Sequence, residues 1–527
     1  MASDTSSSSP SSQGRGMGAA GSDRAFFGHP RGLSTLFFTE MWERFSYYGM
    51  RAILTLFMTT AVAMGGLGLK PEESGPIYAM YTSLVYLVTV PGGWLADNFL
   101  GQRRSVLYGG IVIMTGHICL ALHGMTFFYA GLGLVIIGTG LLKPNISVMV
   151  GQLYTKDDIR RDSGFSIFYM GINLGALISP LVCGRLAQNP GFKEILIGWG
   201  LDPINSWHWG FGAAAVGMAL GLVQYMWTGR HLGNAGLHPA PQTPAVAASN
   251  KRLLTIGLVS LGAIAAGIAA IGMSRPELLT KSNINTAYTL LLFTIVIGVF
   301  ARMFMAGQWT GAERARLTVI FVLFCAAAVF WGVFEQAGST LTLFAERSTD
   351  NQIFGWSFDS SAWQAVNSCM IVALAPVFSW LWIRLGPRNP SYPTKFAIGV
   401  GFAGLGFLWM MGGAAASADG SRVAIHWLTG VYLLHTIGEL CLSPVGLSAM
   451  TKLAPVPVVS MMMGVWFLAA SVGNFLGGSV SSYYEKFSLP TLFGMVGASA
   501  MVMSAILFAL GPAVRRMIAQ GDAEVSR

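Results

Sequence analysis

Gly131-Leu-Gly-Leu-Val-Ile-Ile-Gly-Thr-Gly140-Leu-Leu-Lys143-Pro144-Asn-Ile-Ser-Val-Met-Val150 is a long, nearly uninterrupted apolar run with a single charge. About twenty such residues, wound as a helix, span the roughly 30 Å hydrocarbon core of a bilayer. Comparable blocks recur over 211–227, 290–305 and 492–510. Of 527 residues, 53% are hydrophobic and 10% charged, whereas a soluble domain carries about 25% charge. Lipid offers no partner for free backbone N–H and C=O groups, so the chain reads as an all-α membrane protein, a bundle of spanning helices. An outer-membrane barrel is excluded, because its strands would be short and alternating. The 66 glycines scattered through the blocks suit close helix packing in lipid.

About fourteen spanning helices are expected, beginning near residues 32, 74, 104, 126, 162, 207, 252, 285, 315, 359, 394, 424, 456 and 488. Short cytoplasmic loops collect Lys and Arg, and alternate loops do so here: Arg24 and Arg31, Arg103 and Arg104, Lys156 with Arg160 and Arg161, Arg230 with Lys251 and Arg252, Arg314 and Arg316, Arg384 with Arg388 and Lys395, and Arg515 with Arg516. Both termini are therefore expected in the cytoplasm of a multi-pass cell-membrane protein. The net charge of +9 reflects this asymmetry rather than a nucleic-acid partner. Residues 1–25, rich in Ser and Gly, read as a disordered cytoplasmic tail. Residues 26–230 and 313–516 read as two six-helix halves and 517–527 as a second tail. Between the halves, 231–312 opens with a linker containing Pro239, Pro241 and Pro244 and holds two almost uncharged helices, a spacer.

Five cysteines (Cys119, Cys183, Cys325, Cys369, Cys441) lie singly in apolar blocks and read as buried, reduced packing residues. No metal site or cofactor follows from them. There is no HExxH, GxSxG or nucleotide loop to support an enzyme. No loop is long enough to form the folded soluble domain of a receptor.

Ionisable side chains at membrane depth are costly and mark function unless paired or wet. In Glu40-Met-Trp-Glu43-Arg44-Phe-Ser-Tyr47-Tyr48-Gly-Met-Arg51, a turn of about 100° per residue sets Glu40, Arg44, Tyr47 and Arg51 on one stripe, with Glu43 and Tyr48 on its flanks. An internal ion pair would explain two of these charges, but two carboxylates and two guanidiniums exceed what such a pair needs. Three further charges stand alone in their helices: Lys143 beside Pro144, Glu335 in Phe330-Trp-Gly-Val-Phe-Glu-Gln-Ala-Gly338, and Glu439 in His435-Thr-Ile-Gly-Glu-Leu-Cys-Leu-Ser-Pro444. Lys143 is within snorkelling reach of the surface; the two carboxylates are not. The cations Arg51 and Lys143 belong to the first half and the lone carboxylates Glu335 and Glu439 to the second. A zwitterion bridges such an arrangement, and two linked residues span roughly 7 Å when extended.

The run from Phe26-Phe-Gly-His-Pro30 through Glu40 to Leu54 closely resembles the first helix of the proton-dependent oligopeptide transporter family. Gly92-Gly-Trp-Leu-Ala-Asp97-Asn-Phe-Leu-Gly101 and Phe165-Ser-Ile-Phe-Tyr-Met-Gly-Ile-Asn173-Leu-Gly-Ala-Leu177 look like two further signatures of that family, and Lys143, Glu335 and Glu439 match later motifs. The resemblance implies a major-facilitator fold of two six-helix bundles with two inserted helices, active as a monomer. It also implies proton-coupled import of di- and tripeptides, with peptide-like drugs as further substrates and no cofactor beyond protons as coupling ion. Tyr48, Arg51, Tyr86, Lys143, Tyr169 and Asn173 match its peptide-binding positions in the first bundle. In the second bundle Trp331, Asn367, Glu439, Ser443 and Trp466 do so. Without that match, Trp and Tyr at membrane depth read as packing or interface anchors.

Two positions depart from the general pattern. Asn98 stands where facilitators usually place Arg after the Asp, so Asp97 with Arg103 and Arg104 is expected to act as a conformational latch. Ala79 stands where animal members often have His, which excludes a histidine proton carrier there.

Protons are then expected on carboxylates, because burial disfavours their charged form; Glu40, Glu43 and Glu335 are the candidates. Lys143 is expected to pair with the first-helix carboxylates until protonation or substrate releases it, and Arg51 with Glu335 to close the outer gate. Nitrate, another anion or a peptide-like drug on the same fold is the alternative; Glu439 argues against a simple anion.

Overall fold

A computed structural model describes residues 23–155 and 157–525. Most of the expected N-terminal tail (residues 1–22), Lys156 and residues 526–527 lie outside the described residues. The first half contains α1 (Arg31–Thr59), α2 (Pro71–Leu87) continued by the short α3 (Thr89–Leu95), α4 (Gln102–Leu120), α5 (Met125–Gln152), α6 (Arg161–Gln188), the short α7 (Pro190–Gly198) and α8 (Ser206–Thr228). The middle segment supplies α9 (Pro244–Ser274) and α10 (Lys281–Met305). The second half contains α11 (Gly311–Phe334) with the short α12 (Thr340–Arg347), α13 (Trp363–Leu385), α14 (Tyr392–Ala416), α15 (His426–Leu453), α16 (Met462–Val480) and α17 (Leu489–Val525). Because α17 continues to Val525, most of the segment expected as a C-terminal tail is helical.

Among the described residues, ten helices are long and apolar enough to cross a bilayer. The others needed to complete two six-helix halves are α1, α2 with α3, α4 and α15; α2 is only 17 residues long before it gives way to α3, and polar residues fall in the other three. Four charges interrupt α1, Arg103 and Arg104 open α4, and α15 carries His426, His435 and Glu439. Within the first half α1 packs against α6 and α8, and α4 against α5 and α8; within the second, α14 packs against α15 and α17, and α11 against α16. The halves meet along two seams, α2 with α16 and α6 with α13.

The α2–α16 seam is closed by small residues. A Cβ on Gly478 would fall 2.6 Å from the Cα of Ala79, so the two backbones touch there, as small residues permit in lipid. That contact leaves no room for an imidazole at position 79. Deeper along the seam, Ser83 Oγ and Ser471 Oγ are 2.8 Å apart, and Ser471 Oγ donates to Ser83 O at 2.9 Å.

The middle segment is not a uniform spacer. No residue of α9 is buried, whereas α10 buries Tyr288, Leu292, Val296, Phe300 and Met303 in the core of the second half. Tyr288 Oη donates to Ser83 Oγ at 2.7 Å, and its ring lies 5.2 Å from that of Phe475. Lys281 Nζ reaches Glu73 Oε1 at 2.7 Å. One inserted helix thus contacts both halves at their seam. Tyr288→Phe is expected to cost about 0.5–1.5 kcal/mol and to lower the thermal unfolding midpoint in detergent. An unchanged midpoint would show that the hydroxyl chain adds nothing to the seam.

The cysteines depart in one respect from expectation: Cys183 and Cys441 are buried and Cys119 and Cys325 half-buried, but Cys369 is exposed. It lies on α13, most of whose surface faces away from the protein.

Candidate functional site

The charged stripe of α1 faces inward over its whole length: Glu40, Glu43, Arg44, Tyr47 and Arg51 are all buried. Arg44 Nε lies 3.1 Å from Glu40 Oε1, one helical turn away, and also contacts Glu43 Oε2. These are ion contacts rather than well-directed hydrogen bonds, since Glu40 Oε2, both Glu43 oxygens and Arg44 Nη2 lack a hydrogen-bond partner. Two carboxylates therefore share one guanidinium.

Lys143 enters from α5. Pro144 removes the backbone donor that would bond to Gly140 O, and α3 approaches that carbonyl at Gly92, where a Cβ would collide with it. Lys143 Nζ sits 3.8 Å from the centroid of the Tyr86 ring, a cation–π distance. The expected Lys143 pair with Glu40 or Glu43 is not formed; Arg44, on the same helix turn as both carboxylates, occupies their near oxygens instead.

At the other end of the stripe, Arg51 Nη2 lies 2.5 Å from Glu335 Oε2, and Arg51 Nε donates to Tyr78 Oη at 2.8 Å. Glu335 begins the short turn that ends α11, so the ion pair ties α1 to the break between α11 and α12. Thr55 Oγ1 donates to Gly338 O at 2.6 Å one turn further along. Tyr78 was not singled out from sequence, yet Tyr78, Thr82 and Tyr86 recur every four residues on α2, a polar stripe that would have included it.

From the second half, Glu439 Oε2 accepts from Asn367 Nδ2 at 3.1 Å, and the same amide donates to Thr436 Oγ1 at 3.0 Å. Trp331 Nε1 and Ser443 Oγ have no hydrogen-bond partner.

These groups line two cavities between the halves. A chamber of about 130 Å³ is bounded by Tyr48, Arg51, Tyr86, Tyr169, Asn173, Trp331, Glu335, Asn367 and Glu439, joined by Gln364, Tyr432 and His435, which sequence reading missed. A vestibule of about 1190 Å³ holds Glu40, Arg44, Lys143 and Trp466 and extends to Asp97, Gln152 and Arg161 at the end of the molecule with the basic loops. Ser443 lines neither. At the opposite end, Arg51 with Glu335, and Gln188 with Ser360 across the α6–α13 seam (3.1 Å), hold the halves together.

The set Asp97, Arg103 and Arg104 is not assembled as a latch. Asp97 Oδ1 accepts from Gln102 Nε2 at 2.7 Å, Arg103 donates to Ala235 O (2.9 Å) and Gly233 O (2.5 Å) in the linker, and Arg104 is exposed. The carbonyls at the start of the linker satisfy Arg103 in place of the carboxylate.

The sequence model of the POT family matches residues 103–498. An uncharacterized transporter of Bacillus subtilis is 43% identical over 496 residues, 94% of this chain and 96% of its own. A di-/tripeptide transporter of Lactococcus lactis subsp. cremoris is 38% identical over 505 residues, 94% of this chain and 98% of its own. The crystal structure of a peptide transporter POT in complex with sulfate aligns with a TM-score of 0.86 at 41% identity, covering 95% of this chain and 98% of that one.

Proposed function

The chain belongs to the POT family, and from that premise we propose that it imports di- and tripeptides with protons across the cell membrane by alternating access. It is a multi-pass membrane transporter, not an enzyme. The observation that carries the peptide reading is the division of charge around the cavities: the cations Arg51 and Lys143 come from the first half and the carboxylates Glu335 and Glu439 from the second, while Arg44 is held by Glu40 and Glu43 of its own helix. A peptide presents a carboxylate and an ammonium a few ångströms apart, and such a site clamps both. Nitrate or another simple anion would meet Glu439 unneutralised, since among the described residues only the Asn367 amide bonds it.

The charge count supports proton coupling. Glu40, Glu43, Asp97, Glu335 and Glu439 are five carboxylates against the four cations Arg44, Arg51, Lys143 and Arg161. A buried, uncompensated charge is expensive, and a zwitterion does not change the balance; one proton does. Glu43, with Glu40, is placed to carry it beside Arg44. Peptide carboxylate then draws Lys143 off the Tyr86 ring, while Arg51 and Glu335 gate the far end. With both termini on the basic, cytoplasmic side, the open vestibule faces the cytoplasm and the closed seam faces outward. One chain supplies every group of the site, so a monomer suffices.

The test is uptake of labelled dialanine into liposomes containing the pure protein, with an inward proton gradient and then with that gradient collapsed. Gradient-dependent accumulation, competed by other dipeptides but not by nitrate or free alanine, is the expected result. Absence of uptake by correctly inserted protein moves the substrate to another solute.

A further inference from the structure

The chamber and the vestibule share two lining residues, Tyr48 on α1 and Ile172 on α6. These helices pack against each other, and each side chain borders both spaces, Ile172 forming the α6 side of the sill between them. Tyr48 flanks the charged stripe; Ile172, half-buried, has no part in charge binding. Its neighbours Tyr169 and Asn173 face the chamber, while Phe165, two turns back, faces the vestibule.

Volume makes the sill consequential. The chamber, at about 130 Å³, is well under the roughly 300 Å³ at which small-molecule pockets begin. A dipeptide extends about 7 Å and a tripeptide about 10 Å. Charge anchors both ends: Arg51, Glu335 and Glu439 lie in the chamber, and Lys143 lies in the vestibule over the face of Tyr86, a chamber residue. A longer peptide anchored in the chamber extends further past the sill towards the vestibule.

We propose that Ile172 is a specificity-determining residue that discriminates peptides by length, the third residue of a tripeptide resting on it as the chain passes from chamber to vestibule. This inference rests on the peptide reading above. An aliphatic side chain suits the role, because it meets substrate side chains of any polarity without offering a hydrogen bond.

The experiment measures uptake of dialanine and trialanine by wild type and by a graded series, Ile172→Ala, Ile172→Val, Ile172→Met and Ile172→Phe, in the same liposomes. The ratio of trialanine KM to dialanine KM is expected to fall for Ala and to rise about tenfold or more for Phe, with Val and Met between. Dialanine uptake in each variant doubles as the control for folding, and Val and Met keep the series informative if Phe does not fold. If the variants alter both substrates equally, or neither, Ile172 does not sense length and the inference is overturned. If wild type takes up neither peptide, the peptide reading fails first and takes this inference with it.

Discussion

Glu43→Gln is expected to abolish proton-driven accumulation of peptide while leaving exchange of labelled for unlabelled peptide measurable. The argument is electrostatic. Glu43 and Glu40 are both buried on α1 with only Arg44 in ion contact, so the pocket holds one negative charge more than its guanidinium offsets. A proton that moves with substrate has a place to bind there, and glutamine fills the same volume while fixing the neutral state. One pH unit is worth about 1.4 kcal/mol per proton, so wild type with one coupled proton concentrates peptide up to about tenfold per unit of gradient. The variant should equilibrate and stop. Exchange needs no net proton movement and should survive. If Glu43→Gln still concentrates peptide, Glu40→Gln is the next variant to measure, and Glu43 is not the carrier.

Glu335→Gln should open the outward end. The Arg51–Glu335 pair joins the two halves through a 2.5 Å contact with both side chains almost fully buried. Removing one partner of a buried pair typically costs about 3–5 kcal/mol. Arg51 would keep Tyr78 Oη and the Glu335 backbone oxygen, which soften the loss without replacing the carboxylate. An equilibrium between closed and open outer ends should then move by about a hundredfold. Spin labels at Met64 and Phe354, exposed positions on either half, report it as a longer inter-label distance; exposed Cys369 must be replaced first. An unchanged distance distribution would mean that the seams hold the end shut without this pair.

The cost of charge in lipid explains what could be read early. Glu40, Arg44, Arg51 and Glu335 advertise themselves because nothing but a partner or a wet cavity lets them sit at those depths, and sorting them by sign and by half led to the cross-half contact of Arg51 with Glu335. Pairing within a turn was harder. Lys143 was matched to carboxylates that Arg44 holds, because sequence spacing does not say which of two cations is nearer. Ile172 carries no charge, and only the shape of the cavities draws attention to it. The contrast between α9 and α10 was also illegible, and for a different reason. In water a buried helix face is apolar and its opposite face polar; in lipid both faces are apolar, so hydropathy is silent about which helix docks.

The docking of α10 has a further consequence for motion. If the seam between α2 and α16 parts, Ser83 and Ser471 would face an aqueous cleft and could trade their mutual bond for water at little net loss. Tyr288 reaches the same serines from α10. Its ring is packed on Phe475 of α16, so a parting seam would leave the inserted helix with the second half and break its links to Ser83 and Glu73 of the first.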